Sequence, residues 1–98
     1  MITPSAVIKN LDELRNFVKN VLCLHSQLES DAFDLAERIL IRAQRPCGML
    51  FSLYGPRGIQ LSAIWETERK TLLFYGSTGE RFHKIQLVEA PRLEAAAA

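Results

Sequence analysis

The sequence predicts an α+β fold, with one N-terminal amphipathic helix packed on a four- to five-stranded antiparallel β-meander. Three observations carry that expectation. Apolar residues recur with helical spacing over residues 11–25. From Pro46 onward they recur with period two. Turn chemistry divides the period-two region at Gly55-Pro56-Arg57-Gly58, at Thr67–Lys70 and at Gly76–Gly79. At 98 residues, 48% hydrophobic and 23% charged, the chain has the composition of one globular domain and not of a disordered segment. That domain is expected over 1–92. Leu93–Ala98, LEAAAA, reads as a vector-derived or frayed tail.

The helix begins with a capping box. Asn10 can accept an early backbone N–H, and Glu13, three residues on, can reach back. Leu11, Leu14, Phe17, Val18, Val21, Leu22 and His25 then share one face. Residues 30–44 support two readings. As a helix capped by Ser30, they align Ala32, Leu35, Ala36, Ile39 and Ala43 but strand Ile41 among charges. As a strand, Phe33, Leu35, Ile39 and Ile41 alternate with Asp34, Arg38 and Arg42, and Glu37 is the misfit. The strand is preferred, because without it the next strand would be an exposed apolar edge. The helical alternative gives two helices plus four strands.

Loop parity decides which side chains share a face, since opposed residues in an antiparallel pair point the same way and a one-residue slip inverts a strand. A five-residue loop, Tyr54–Gly58, pairs Leu53 with Ile59, Phe51 with Leu61, Met49 with Ala63 and Cys47 with Trp65. The 67–70 loop sets Glu66 opposite Thr71, which brings Leu72 beside Trp65 and Phe74 beside Ala63. Ser77-Thr78-Gly79 suits a three-residue loop, with Gly79 left-handed, and pairs Phe74 with Phe82. One face is then uniformly apolar and matches the helix stripe. The other carries Leu50, Ser52, Tyr54, Gln60, Ser62, Ile64, Glu66, Leu73, Tyr75, Arg81, His83 and Ile85. Its middle is too apolar for a solvated face, so a second helix, another subunit or a ligand is expected to cover it.

The stretches RPCGMLFSLYGPRG and LSAIWETERKTLLFYGSTGERF resemble a family of small uncharacterised bacterial proteins of the planctomycete type, over Arg45 to Leu87. The resemblance implies no activity, cofactor or catalytic residue.

Charge and motifs exclude more than they assign. A formal net charge of +1 signals neither a nucleic-acid binder nor an acidic tail. No apolar run reaches the roughly 18 residues that span a bilayer. MITPSAVIKN has no charged segment followed by an apolar core, so a cytoplasmic protein with reduced thiols is expected from its two cysteines. Cys23, His25, Cys47 and His83 are the soft metal ligands, but their spacing is not that of a zinc site. Cys47 and His83 fall on opposite faces in this register, which defeats a nucleophile–base pair. Gly55–Gly58 lies between strands, and Pro56 removes a donor, so it reads as a turn and not a phosphate loop. The carboxylates are scattered. No catalytic, cofactor or metal residue is assigned. The expectation is a non-enzymatic protein-interaction module, homodimeric through the second face. Its interface candidates are Leu50, Tyr54, Ile64, Leu73, Tyr75, Arg81 and His83. The alternative is a ligand or single-stranded nucleic-acid platform, with Arg81, His83 and Lys84 beside Tyr54 and Tyr75.

Overall fold

The computed structural model describes residues 4–28 and 33–93. Its elements are β1 (Ser5–Val7), α1 (Leu11–Ser26), β2 (Leu35–Arg42), β3 (Arg45–Tyr54), β4 (Gln60–Glu66), β5 (Thr71–Tyr75) and β6 (Arg81–Glu89). The fold is α+β, but the sheet is mixed and six-stranded, in the order β1-β6-β5-β4-β3-β2. Strands β2 to β6 form the expected antiparallel meander. The correction is β1, which pairs in parallel with β6 through Ser5↔Gln86 and Ala6↔Leu87. A three-residue strand with one half-buried side chain has no readable period, so it escaped the sequence. Its anchoring comes from the Ile8 N–H to Glu89 O bond (2.9 Å) and the Gln86 N–H to Pro4 O bond (2.9 Å).

The capping box forms with its return bond displaced by one residue, to the N–H before the cap. Asn10 Oδ1 accepts the Glu13 N–H at 2.9 Å, and Glu13 Oε1 accepts the Lys9 N–H at 3.0 Å. Gln27, left-handed at φ 57°, ends the helix, and the Leu28 N–H bonds Cys23 O at 2.8 Å in a Schellman closure. These end effects are each worth about 1 kcal/mol. Burial outweighs them: Leu14, Val18 and Leu22 are fully buried over β3 and β4, at about 1.5–3 kcal/mol each. Beneath them lie Met49, Phe51, Leu53, Leu61, Ala63, Trp65, Leu72 and Phe74.

Residues 35–42 are a strand, which settles the ambiguous segment against the second helix; the proposed Ser30 cap lies outside the described residues. Glu37 opposes Phe51 on the inner side and bonds Arg15 of α1, which also holds Asp12 at 3.0 Å. The misfit is therefore a strand-to-helix ion pair at the sheet margin. Leu93, set aside with the tail, is 3% exposed and packs in the core, and residues 94–98 lie outside the described range.

Register follows the parity argument with two displacements. Between β3 and β4 the pairs are Leu53↔Leu61, Phe51↔Ala63 and Met49↔Trp65, two residues along from expectation. The loop is still five residues, but it runs Gly55–Ile59, so the faces are preserved. Between β4 and β5 the expected pairs hold: Glu66↔Thr71, Trp65↔Leu72 and Ala63↔Phe74. Between β5 and β6 the Ser77–Gly79 loop forms with Gly79 at φ +86°. A bulge at Phe82 then makes His83, not Phe82, the partner of Phe74. Phe82 turns to the helix side, where His25 stacks on its ring at 3.6 Å.

The β2–β3 hairpin closes through a two-residue turn whose Ala43 and Gln44 both have positive φ, 51° and 67°. That is a type I′ geometry, normally held by Asn-Gly. Each such L-residue costs about 1–2 kcal/mol in the left-handed region, more than a typical exposed ion pair returns. Replacing Ala43→Asn together with Gln44→Gly is therefore expected to raise the unfolding free energy by about 1–2 kcal/mol. A urea denaturation midpoint that does not rise would contradict the strain assigned to this turn.

Candidate functional site

With α1 on one side of the sheet, its other side is covered by no described element. Register defines that outer face. β2 contributes Ala36, Arg38 and Leu40; β3 contributes Leu50, Ser52 and Tyr54. β4 contributes Gln60, Ser62, Ile64 and Glu66; β5 contributes Thr71, Leu73 and Tyr75; β6 contributes Arg81, Lys84 and Gln86. Leu50, Ile64, Leu73 and Tyr75 are half-buried and form the apolar middle. Tyr54 stands at one end of β3 and is 58% exposed.

At the other end of the sheet lies a groove of about 720 Å3. Leu40, Cys47, Ile64, Leu73 and Tyr75 form its apolar lining, and Arg42, Arg45 and Arg69 its cationic rim. The backbone creates it. Pro46 has no N–H for the ladder, and the β2–β3 register shifts between Leu40 and Ile41, leaving Cys47 outside the alternation. The Cys47 carbonyl is then taken by the Thr67 N–H (3.2 Å) and Thr67 Oγ1 (2.9 Å), and its thiol donates to Leu40 O at 3.4 Å. Gly48 follows with no room for a side chain: a Cβ there would stand 2.2 Å from Trp65 O.

Of the sequence-derived candidates, Leu50, Tyr54, Ile64, Leu73, Tyr75 and Arg81 lie on this face. His83 does not. The Phe82 bulge puts it on the inner side, its ring 5.8 Å from that of Phe74. Ile85 follows it into the core at 4% exposure. Lys84 and Gln86 take their outer places. Parity carried through a three-residue loop predicts the opposite, and nothing in the local sequence announces the bulge. Arg42, Arg45 and the groove were missed for the same reason, since the shift beside Pro46 is a backbone event; the proline was its one visible trace.

Charge is unevenly shared. Of the chain's 12 Lys and Arg and 11 Asp and Glu, this face and its rim hold Arg38, Arg42, Arg45, Arg69, Arg81 and Lys84, against Glu66 and Glu68. Arg69 approaches Glu66 at 3.9 Å; among the described residues the other five cations have no ion pair. Arg42 and Arg45 are directly opposed across the hairpin, a like-charge placement that destabilises a strand pair.

The soft ligands do not converge. Cys23 is buried in α1, His25 and His83 lie toward the helix side, and Cys47 lines the outer groove. Among the described residues no three His, Cys, Asp or Glu side chains are grouped to hold a metal ion. Cys47, expected toward the core, is the half-buried thiol and Cys23 the enclosed one. Burial holds the Cys23 thiol above its ordinary pKa, with Lys19 opposing weakly. Among the described residues no helix is long and apolar enough to cross a membrane.

In the native state one thiol is expected to react quickly with a thiol reagent, and Cys47→Ser to remove it. Rapid labelling of Cys23 would contradict the helix packing. Compared with protein-family models, with curated proteins and with solved structures, the chain gives no match.

Proposed function

We propose that the protein is a non-enzymatic protein-interaction module that docks through the outer face of its sheet. The observation that carries this reading is the strip of Leu50, Ile64, Leu73 and Tyr75 in the middle of a face left open by every described element. Aromatic and aliphatic side chains half-exposed together in one contiguous patch favour contact with another molecule. Among the described residues the scattered carboxylates and separated Cys and His side chains offer no convergent acid, base or nucleophile, which weighs against catalysis. The homodimer expected from the sequence is one form of this reading, with strip laid on strip.

Docking and folding roles separate by experiment. Ile64→Ser and Leu73→Ser, made singly, are expected to lower stability by about 1 kcal/mol or less, chiefly through strand propensity. Phe51→Ala, in the core, is expected to cost about 3–5 kcal/mol. If the serine variants unfold as readily as the Phe51 variant, the strip serves the fold and the docking role is lost. Light scattering over a concentration series then distinguishes occupants. A dimer abolished by Ile64→Asp assigns the face to a second copy, whereas a constant mass of one chain leaves it to a different protein.

A further inference from the structure

We infer that the occupant of the outer face is an acidic protein surface, one that sets carboxylates around a central apolar or aromatic knob. This deepens the docking role proposed above and rests on it. The knob belongs in the groove of about 720 Å3, against Ile64, Leu73 and Tyr75. The carboxylates belong on its rim, against Arg42, Arg45 and Arg69.

Charge decides between occupants. A second copy laid face to face would bring six cations toward six, with only Glu66 and Glu68 on each side to offset them. Juxtaposed like charges in a desolvated contact disfavour such a pairing. A single-stranded nucleic acid would satisfy the cations, but its bases need aromatic platforms. The middle of this face is aliphatic, Leu50, Ile64 and Leu73, and its two tyrosines sit on β3 and β5 with β4 between them. An acidic protein meets both halves of the pattern.

The Arg42–Arg45 hairpin points the same way. It combines a left-handed turn without glycine, two opposed cations and no ion pair for either arginine among the described residues. The left-handed turn and the opposed cations both oppose folding locally, and no ion pair among the described residues offsets the repulsion. A carboxylate bridging the two guanidinium groups would relieve the repulsion and form charge-assisted hydrogen bonds.

The test is an NMR titration of the isotope-labelled protein with three probes: a random glutamate–tyrosine copolymer, polyglutamate, and a mixed-sequence single-stranded oligonucleotide. The copolymer is expected to shift amides of β3 to β5 and of the 42–45 hairpin, to bind tighter than polyglutamate, and to weaken as salt rises. Arg42→Glu with Arg45→Glu is expected to reduce its affinity about tenfold or more. The charge-matched control, Lys9→Glu with Arg57→Glu, is expected to bind as the parent does, and unchanged spectra of the free variants establish that both fold. Three results overturn the acidic occupant while leaving the docking face in place: tighter oligonucleotide binding on the same amides, equal loss in both double variants, or a dimer that buries this face. A monomer whose outer-face amides respond to none of the probes overturns the acidic occupant alone, whereas the docking role falls on the stability of the Ile64→Ser and Leu73→Ser variants described above.

Discussion

One helix cannot cover two sides of a six-stranded sheet, and the rest of the molecule follows from that constraint. α1 spends its apolar stripe on β3 and β4, and Leu14, Val18 and Leu22 are buried in one core with Phe51, Ala63 and Trp65. This arrangement requires the large apolar residues of β3, β4 and β5 to agree on a side. Five-residue and four-residue connections achieve that agreement, because connection length fixes parity and parity fixes the face. The two-residue displacement between β3 and β4 is harmless for the same reason: an even shift changes partners but not sides.

Single-residue irregularities have the opposite effect, and two of them, in the β2–β3 and β5–β6 pairs, shape the outer face. At Phe82 a bulge sends an aromatic ring onto His25 and brings Ile85 and Leu87 into the core. The same bulge hands the outer positions to Lys84 and Gln86. Beside Pro46 the other irregularity leaves Cys47 out of the alternation and lets Arg42 and Arg45 rim the groove. The first exchanges the expected His83 and Ile85 for Lys84 and Gln86 on the outer face, and the second brings Cys47, expected toward the core, into the outer groove. The face that results is an aliphatic strip framed by positive charge, in a chain whose overall formal charge is +1. Net charge conceals this surface, because it averages a cationic face with a remainder richer in carboxylates.

Glu37 illustrates how a local misfit acquires sense only in three dimensions. In the strand pattern it occupies an inner position where an apolar residue belongs. In the fold that position lies at the sheet margin, within reach of Arg15 on the helix. Because both groups are partly solvated, the pair adds little stability. Its consequence is to tie the far strand of the sheet to the helix that covers the middle.

The sequence by itself determined the helix and its cap, the alternating strands, three of the turns, and the division of β3 to β5 into an apolar and a mixed side. These are local properties: backbone hydrogen-bonding at a cap, φ at a glycine, and period-two geometry act within a few residues. Only the tertiary structure decided β1, the side taken by His83 and Ile85, and the groove rimmed by Arg42 and Arg45. A parallel edge strand exists because a distant strand offers it a ladder, and a bulge exists because distant packing, here His25 on Phe82, rewards the extra residue. Such choices are settled by the energy of contacts between residues far apart in the chain, and that energy leaves no pattern in the neighbouring sequence.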